Sequence, residues 1–337
     1  ISRNSSFVYK DKVVGIDVIA RELGVTHILE GSVRRVGDRV RINAQLVESG
    51  TQAQLWAERF DRQVEDIFAL QDEVTARIVT ALSKELGTSG ALPTNTRGTA
   101  DLEAYELFLH AREQWHRHDR EGTLRALDIL ERVVARDQNF AEALAYLSMA
   151  HAVAAMNGWV DAPDTAFAKA MDYVEQAWRA APDYALPHLQ RGVFALMAGE
   201  YDAAIAHAEH AISLDPNFAH AYVDLGWFLC FGGRPAEALV ALQYAQILDP
   251  HYSSQLLHFL GLAHLLGGDD EAAASALRRR LLRNPDSDRS NVLLAVAYAN
   301  PGDMEAARDT WAQALRINPA ASSETMFKFR SEEHTSE

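Results

Sequence analysis

Four dipeptides, Asp215-Pro216, Asp249-Pro250, Asn284-Pro285 and Asn318-Pro319, recur at intervals of 34, 35 and 34 residues. A fixed period of this size marks a chain built from copies of one supersecondary unit, each too small to bury its own apolar surface. Aligning on the prolines gives copies at 185–218, 219–252, 254–287 and 288–321. Each copy carries a small residue at its eighth position: Gly192, Gly226, Gly261 and Ala295. A second small residue follows twelve positions later, at Ala204, Ala238, Ala273 and Ala307. A third lies seven beyond that, at Ala211, Ala245 and Ala314, with Arg280 in its place in one copy. Small residues at these spacings let two helices approach closely.

Apolar residues recur at helical spacing on both sides of a glycine turn. In one copy they are Tyr222, Leu225, Gly226 and Leu229, then Ala238, Leu242, Ala245 and Leu248. The turns fall at Gly199, Gly233, Gly268 and Gly302, and the prolines stop each second helix. Upstream, 141–182 keeps Leu144, Leu147 and Ser148 but carries about eight extra residues around 157–163. A first copy, 107–140, is read from Ala111, Ala126, Leu130 and Val133, with Gln138 where proline would stand. Six helical hairpins are therefore expected within 101–321.

This pattern resembles the tetratricopeptide repeat family. The resemblance implies an all-α solenoid, a right-handed superhelix of helical hairpins, that binds an extended partner along its concave side. The expected groove is lined by first-helix residues one position past the close-packing small residue, namely Trp115, Met149, Val193, Trp227, Leu262 and Val296. Leu189, Val223, Phe231, Leu265 and Leu196 accompany them one turn away. These same side chains could instead pack between neighbouring repeats, and the sequence does not choose. The Lys/Arg/Asn clamp that some family members use for a C-terminal carboxylate is absent from these positions. The expected partner is a protein or peptide that is apolar, amphipathic or basic, and self-association is a further option.

The first hundred residues follow a different period. A helix over 16–23 precedes a strand at 26–36, the turn Gly37-Asp38, an alternating strand at 39–47, a third strand at 53–60 and a helix over 64–86. Arg39, Arg41, Asn43 and Gln45 should face solvent, and Ile67, Leu70, Val74, Ile78, Ala81 and Leu82 share one face of the last helix. The whole chain thus reads as an α/β small domain followed by the helical solenoid. The runs Ala20-Arg21-Glu22-Leu23-Gly24-Val25, Leu29-Glu30-Gly31-Ser32-Val33-Arg34-Arg35, Leu55-Trp56-Ala57-Glu58-Arg59-Phe60-Asp61-Arg62 and Asp66-Ile67-Phe68-Ala69-Leu70-Gln71-Asp72-Glu73 resemble the TolB-like N-terminal domain that precedes tetratricopeptide repeats in bacterial signalling proteins. It covers about 1–87, N-terminally truncated, with a turn-rich linker at 88–100. In that family the pair often follows either a class III adenylate or guanylate cyclase domain or a winged-helix DNA-binding domain. The resemblance therefore implies a regulatory or sensory segment. It transfers no catalytic residue.

Composition narrows the chemistry. No apolar run approaches the eighteen or so residues that span a bilayer. A single cysteine, Cys230, excludes an internal disulfide and a thiolate metal site, and a reducing, cytoplasmic setting is expected. Residues 1–98 hold 13 Lys+Arg and 13 Asp+Glu, so the whole net charge of −15 lies beyond them, an unfavourable surface for nucleic acid or anionic lipid. His116 and His118 point to different faces, and His207 and His210 lack a suitably placed third ligand, so no metal and no cofactor are expected. No phosphate loop, Gly-x-Ser-x-Gly elbow or His-Glu-x-x-His occurs, and the Gly-Gly pairs at 232–233 and 267–268 recur with the repeat. Asp269-Asp270 reads as a helix cap. Arg278-Arg279-Arg280 with Arg283 should salt-bridge neighbouring acids or meet an acidic partner. The chain is thus expected to be no enzyme in itself. Residues 322–329 read as a truncated continuation, and 330–337 resembles the translation of a sequencing-adapter oligonucleotide.

Overall fold

A computed structural model of the chain describes residues 1–10, 12–63, 67–86, 98–117, 119–319 and 321. The expected linker up to residue 97, the C-terminal continuation and adapter-like tail, His118 and the first turn expected for the helix at 64 lie outside the described residues. Two compact units are present, Ser5–Ala100 and the helical part from Asp101 onward together with Ile1–Asn4.

Helix α1 (Arg3–Phe7) straddles the boundary at Ser5, and the first unit goes on with α2 (Ile16–Leu23), β1 (His27–Val36), β2 (Arg39–Glu48), β3 (Gln54–Gln63) and α3 (Ile67–Leu86). The three strands form an antiparallel sheet in the order β1-β2-β3. Alternation decides its faces. Val40, Ala44 and Leu46 are buried with Phe60, while Arg39, Arg41 and Asn43 face water and Gln45 is half-buried. Helix α3 packs on β3 and β2 and contributes Leu70, which is fully enclosed. On the polar side Asp61 takes hydrogen bonds from Arg41 at 2.7 Å and Arg39 at 2.9 Å. The bond from Arg41 is the larger cause holding its carboxyl below the ordinary aspartate range.

Among the described residues the second unit has six antiparallel helix pairs: α4 (Leu102–Trp115) with α5 (Arg120–Arg136), α6 (Ala141–Met156) with α7 (Pro163–Ala180), α8 (Ala185–Met197) with α9 (Tyr201–Leu214), α10 (Ala219–Phe231) with α11 (Pro235–Leu248), α12 (Ser254–Leu266) with α13 (Asp270–Arg283), and α14 (Asp288–Ala299) with α15 (Met304–Ile317). Each second helix also packs on the first helix of the next pair. The pairs from α8 on turn at Gly199, Gly233, Gly268 and Gly302, whose φ angles of 81°, 73°, 81° and 95° are left-handed values that a β-carbon disfavours. Asp101, Asp119, Asp269 and Asp303 cap their helices by accepting a backbone N–H, Asp269 that of Ala272 at 3.0 Å.

The recurring small residues are where the helices touch. A β-carbon on Gly226 would come within 2.6 Å of Leu242, and one on Gly261 within 2.5 Å of Leu277. Ala204, Ala238, Ala273, Ala211, Ala245 and Ala314 are buried. Two details depart from the sequence-based expectation. The first hairpin begins at Leu102, ahead of the 107 expected for its copy. The extra residues near 157–163 lengthen α6 and α7 to 16 and 18 residues, against 13 and 14 in α8 and α9, as well as the turn between them.

Candidate protein-binding groove

The first helices α4, α6, α8, α10, α12 and α14 carry the expected groove positions. Because side chains three and four apart share a helix face, each helix offers a short ladder, and stacking aligns the ladders into rows. Trp115, Met149, Val193, Trp227, Phe231, Leu265 and Val296 are half-buried, each keeping part of its apolar surface in water. Leu189, Val223, Leu262 and Leu196 are enclosed, with 1%, 6%, 5% and 0% of their surface exposed, and serve as packing. The half-buried positions do not share one apolar cluster. Val193, Trp227, Phe231 and Leu265 rest on the core of α8–α14, whereas Trp115 rests on the α4–α6 core and Met149 on a small cluster between them. The rings reach across repeats: Trp227 stacks on Phe259, with centroids 5.3 Å apart and planes 10° from parallel, and Trp115 meets Tyr146 edge-on at 6.4 Å.

One turn before the row of Trp115, Met149, Val193 and Trp227 lies a second row that the sequence pattern did not single out: Arg112, Tyr146, Gln190 and Asp224, continued by the buried apolar Phe259 and Leu293. Arg112 pairs with Glu142 at 3.5 Å, and its guanidinium lies 5.6 Å from the Phe108 ring and 5.9 Å from that of Tyr146. Its Nε is buried without a hydrogen bond. Gln190 donates from Nε2 to the Ala145 carbonyl at 2.8 Å, tying α8 to α6, while its Oε1 is buried and makes none. Asp224 is buried. Desolvation pushes its carboxyl above the ordinary range, and His220 Nε2, 3.6 Å away, works in the opposite direction. A polar residue spaced three before Trp115, Met149, Val193 and Trp227, inside an otherwise apolar stripe, was the available signal.

Other candidate chemistry takes structural roles. His210 meets His188 edge-on at 4.4 Å, and burial lowers the pKa of His188 and His207. Among the described residues no three His, Cys, Asp or Glu side chains are grouped to hold a metal ion. Cys230 is buried, and desolvation pushes its thiol up to about 12, which leaves it unreactive. Among the described residues the arginine run bonds to hydroxyls, where the sequence offered either neighbouring carboxylates or an acidic partner. Arg278 donates to Tyr298, Arg279 to Tyr252 and Arg280 to Ser254, and Arg283 lies 5.1 Å over the Tyr252 ring. Arg280 occupies the position that is alanine in other copies, and burial lowers its pKa.

Comparison with known proteins agrees with this architecture. Residues 195–257 match the tetratricopeptide repeat family model. A Rhizobium meliloti (strain 1021) protein named "Putative adenylate cyclase 3" is 42% identical over 177 residues, 52% of this chain, and the match spans 30% of that relative's length. Two solved structures share the fold. PilW, a type IV pilus biogenesis factor, is 18% identical with a TM-score of 0.50, over 67% of this chain and 98% of its own. The APC/C hetero-tetramer Cut9–Hcn1 is 17% identical with a TM-score of 0.52, over 68% and 46%. No described helix is long and apolar enough to cross a membrane. Residues 195–257 are tetratricopeptide repeats, a type of protein–protein interaction module, and the helical hairpins flanking them continue the same solenoid.

Proposed function

We propose that this chain is a non-catalytic regulatory and interaction part of a larger cytoplasmic bacterial signalling protein, and that its repeats bind a protein segment along the first-helix face. The observation that carries the reading is the pairing of two rows on that face. Half-buried Trp115, Met149, Val193 and Trp227 run beside a polar row in which Gln190 Oε1 and Arg112 Nε have no hydrogen-bond partner. Both atoms are buried, so a bound segment reaches them only where these side chains turn outward, and the bonds then made recover the free energy that an unsatisfied buried polar group costs. A segment that brings backbone polar groups together with apolar side chains meets both rows.

The cyclase-named relative favours a more specific form of this proposal, in which the chain is the C-terminal regulatory part of an adenylate or guanylate cyclase whose catalytic domain lies in another segment. The small sheet domain, by its resemblance to TolB-like domains, then belongs to the same regulatory apparatus. A winged-helix domain in place of the cyclase is the rival assignment from that resemblance. The full reading frame decides between them, and nucleotide turnover by residues 1–337 alone would overturn the non-catalytic assignment.

The groove is tested by capture from a lysate of the native organism with the whole chain as bait, repeated with Trp115→Ala and Trp227→Ala. Truncating a central aromatic anchor should weaken capture by at least about tenfold, the effect of losing roughly 2 kcal/mol at a hot spot. Capture unchanged by both substitutions contradicts groove binding.

A further inference from the structure

The outer face of α11 is apolar and uncovered. Val240, Tyr244 and Ile247 are 54%, 53% and 66% exposed, and their spacing of four and three places them on one side of the helix. Leu282, the equivalent of Ile247 one repeat later, is 84% exposed. No charged residue lies between Glu237 and Asp249, in a chain with 23% charged residues. A helix face like this normally meets a partner.

The flanking charges say which partner. Glu209 on α9, Gln243 on α11 and Arg278 on α13 are all exposed and occupy equivalent positions, 34 and 35 residues apart. Repeat geometry therefore places an acidic and a basic side chain on opposite sides of the stripe at the same height along the helices. We propose that a second copy of this chain docks on this face, about a two-fold axis running parallel to α11.

That axis pairs Val240, Tyr244 and Ile247 with their own counterparts in register. It also exchanges the flanks, so that Glu209 of each copy faces Arg278 of the other, and Arg283 comes opposite Asp215. A two-fold axis across the helices would set Glu209 against Glu209 and Arg278 against Arg278. The chosen axis has one unfavourable juxtaposition, Asp202 against Glu271 at the helix starts, about two turns from Glu209. An interface resting on a narrow stripe and a few exposed ion pairs is a weak, reversible one that depends on salt.

The test is sedimentation velocity of the whole chain from about 1 μM to about 100 μM at low salt. Expected is a monomer–dimer equilibrium that Tyr244→Glu abolishes while helical circular dichroism and melting temperature are unchanged. Glu209→Arg and Arg278→Glu should each weaken dimerisation roughly tenfold, since each reversal acts twice in the dimer, and the double variant should restore it. A chain monomeric at every concentration assigns the stripe to a different protein and overturns the proposal. So does a dimer indifferent to Tyr244→Glu, or a double variant as weak as the single ones.

Discussion

Gly226 and Gly261 show how little room the hairpins leave. Each lies against a leucine of its own second helix, Leu242 or Leu277, that is fully buried and closed in by neighbours. Gly226→Val should destabilise the chain by about 1–3 kcal/mol through overpacking, read as a lower urea midpoint with an unchanged slope. These contacts were legible because a small residue recurring at the repeat period marks the place where one helix crosses close to the next. The polar row was not legible. Gln190 donates from Nε2 to the carbonyl of Ala145, 45 residues away, and sequence spacing shows no such partner. Burial lowers the pKa of His258 from 6.5 to about 3 and of His151 to about 4, His258 bonding Ser290 Oγ at 2.9 Å through Nδ1. A histidine with a lowered folded pKa binds its proton more readily in the unfolded chain. Stability is therefore full above pH 6.5 and falls as pH drops from there toward 3–4. Asp224, whose carboxyl is raised, opposes this trend. Urea midpoints at pH 7.5 and pH 5 should show the loss, and His258→Asn should reduce it.

Helix ends were predictable where a side chain performs the stop or start. Asp269 caps α13 through the Ala272 N–H, so Asp269→Ala should cost about 1 kcal/mol, with faster hydrogen exchange concentrated in the first turn of α13. Gly199, Gly233, Gly268 and Gly302 marked the turns because their left-handed backbone selects glycine. The strands were equally plain from two-residue alternation in β2. Less visible were the elements where a copy departs from its period. The longer α6 and α7 look like a loop insertion in sequence, because helix-forming residues continue on both sides of Asn157-Gly158. At Arg280 a long side chain fills an alanine position by reaching Ser254, a neighbour that only the folded chain brings within range. The eleven groove positions divide for a related reason. Spacing puts a residue on a face, but whether that face is open depends on how far the next repeat leans over it.

At the scale of the molecule, each second helix packs on the next first helix, so stability should be distributed along the array and set by nearest-neighbour interfaces. The hairpins form a stack in which each repeat advances by one helix layer. Spin labels at residues 206, 240, 275 and 309, exposed and equivalent in four consecutive repeats, measure this directly. Double electron–electron resonance on the pairs 206/240, 206/275 and 206/309, at concentrations that keep the chain monomeric, should give separations that rise with every repeat crossed, by about 10 Å each. A 206/309 distance no longer than 206/240 would contradict the stacked array.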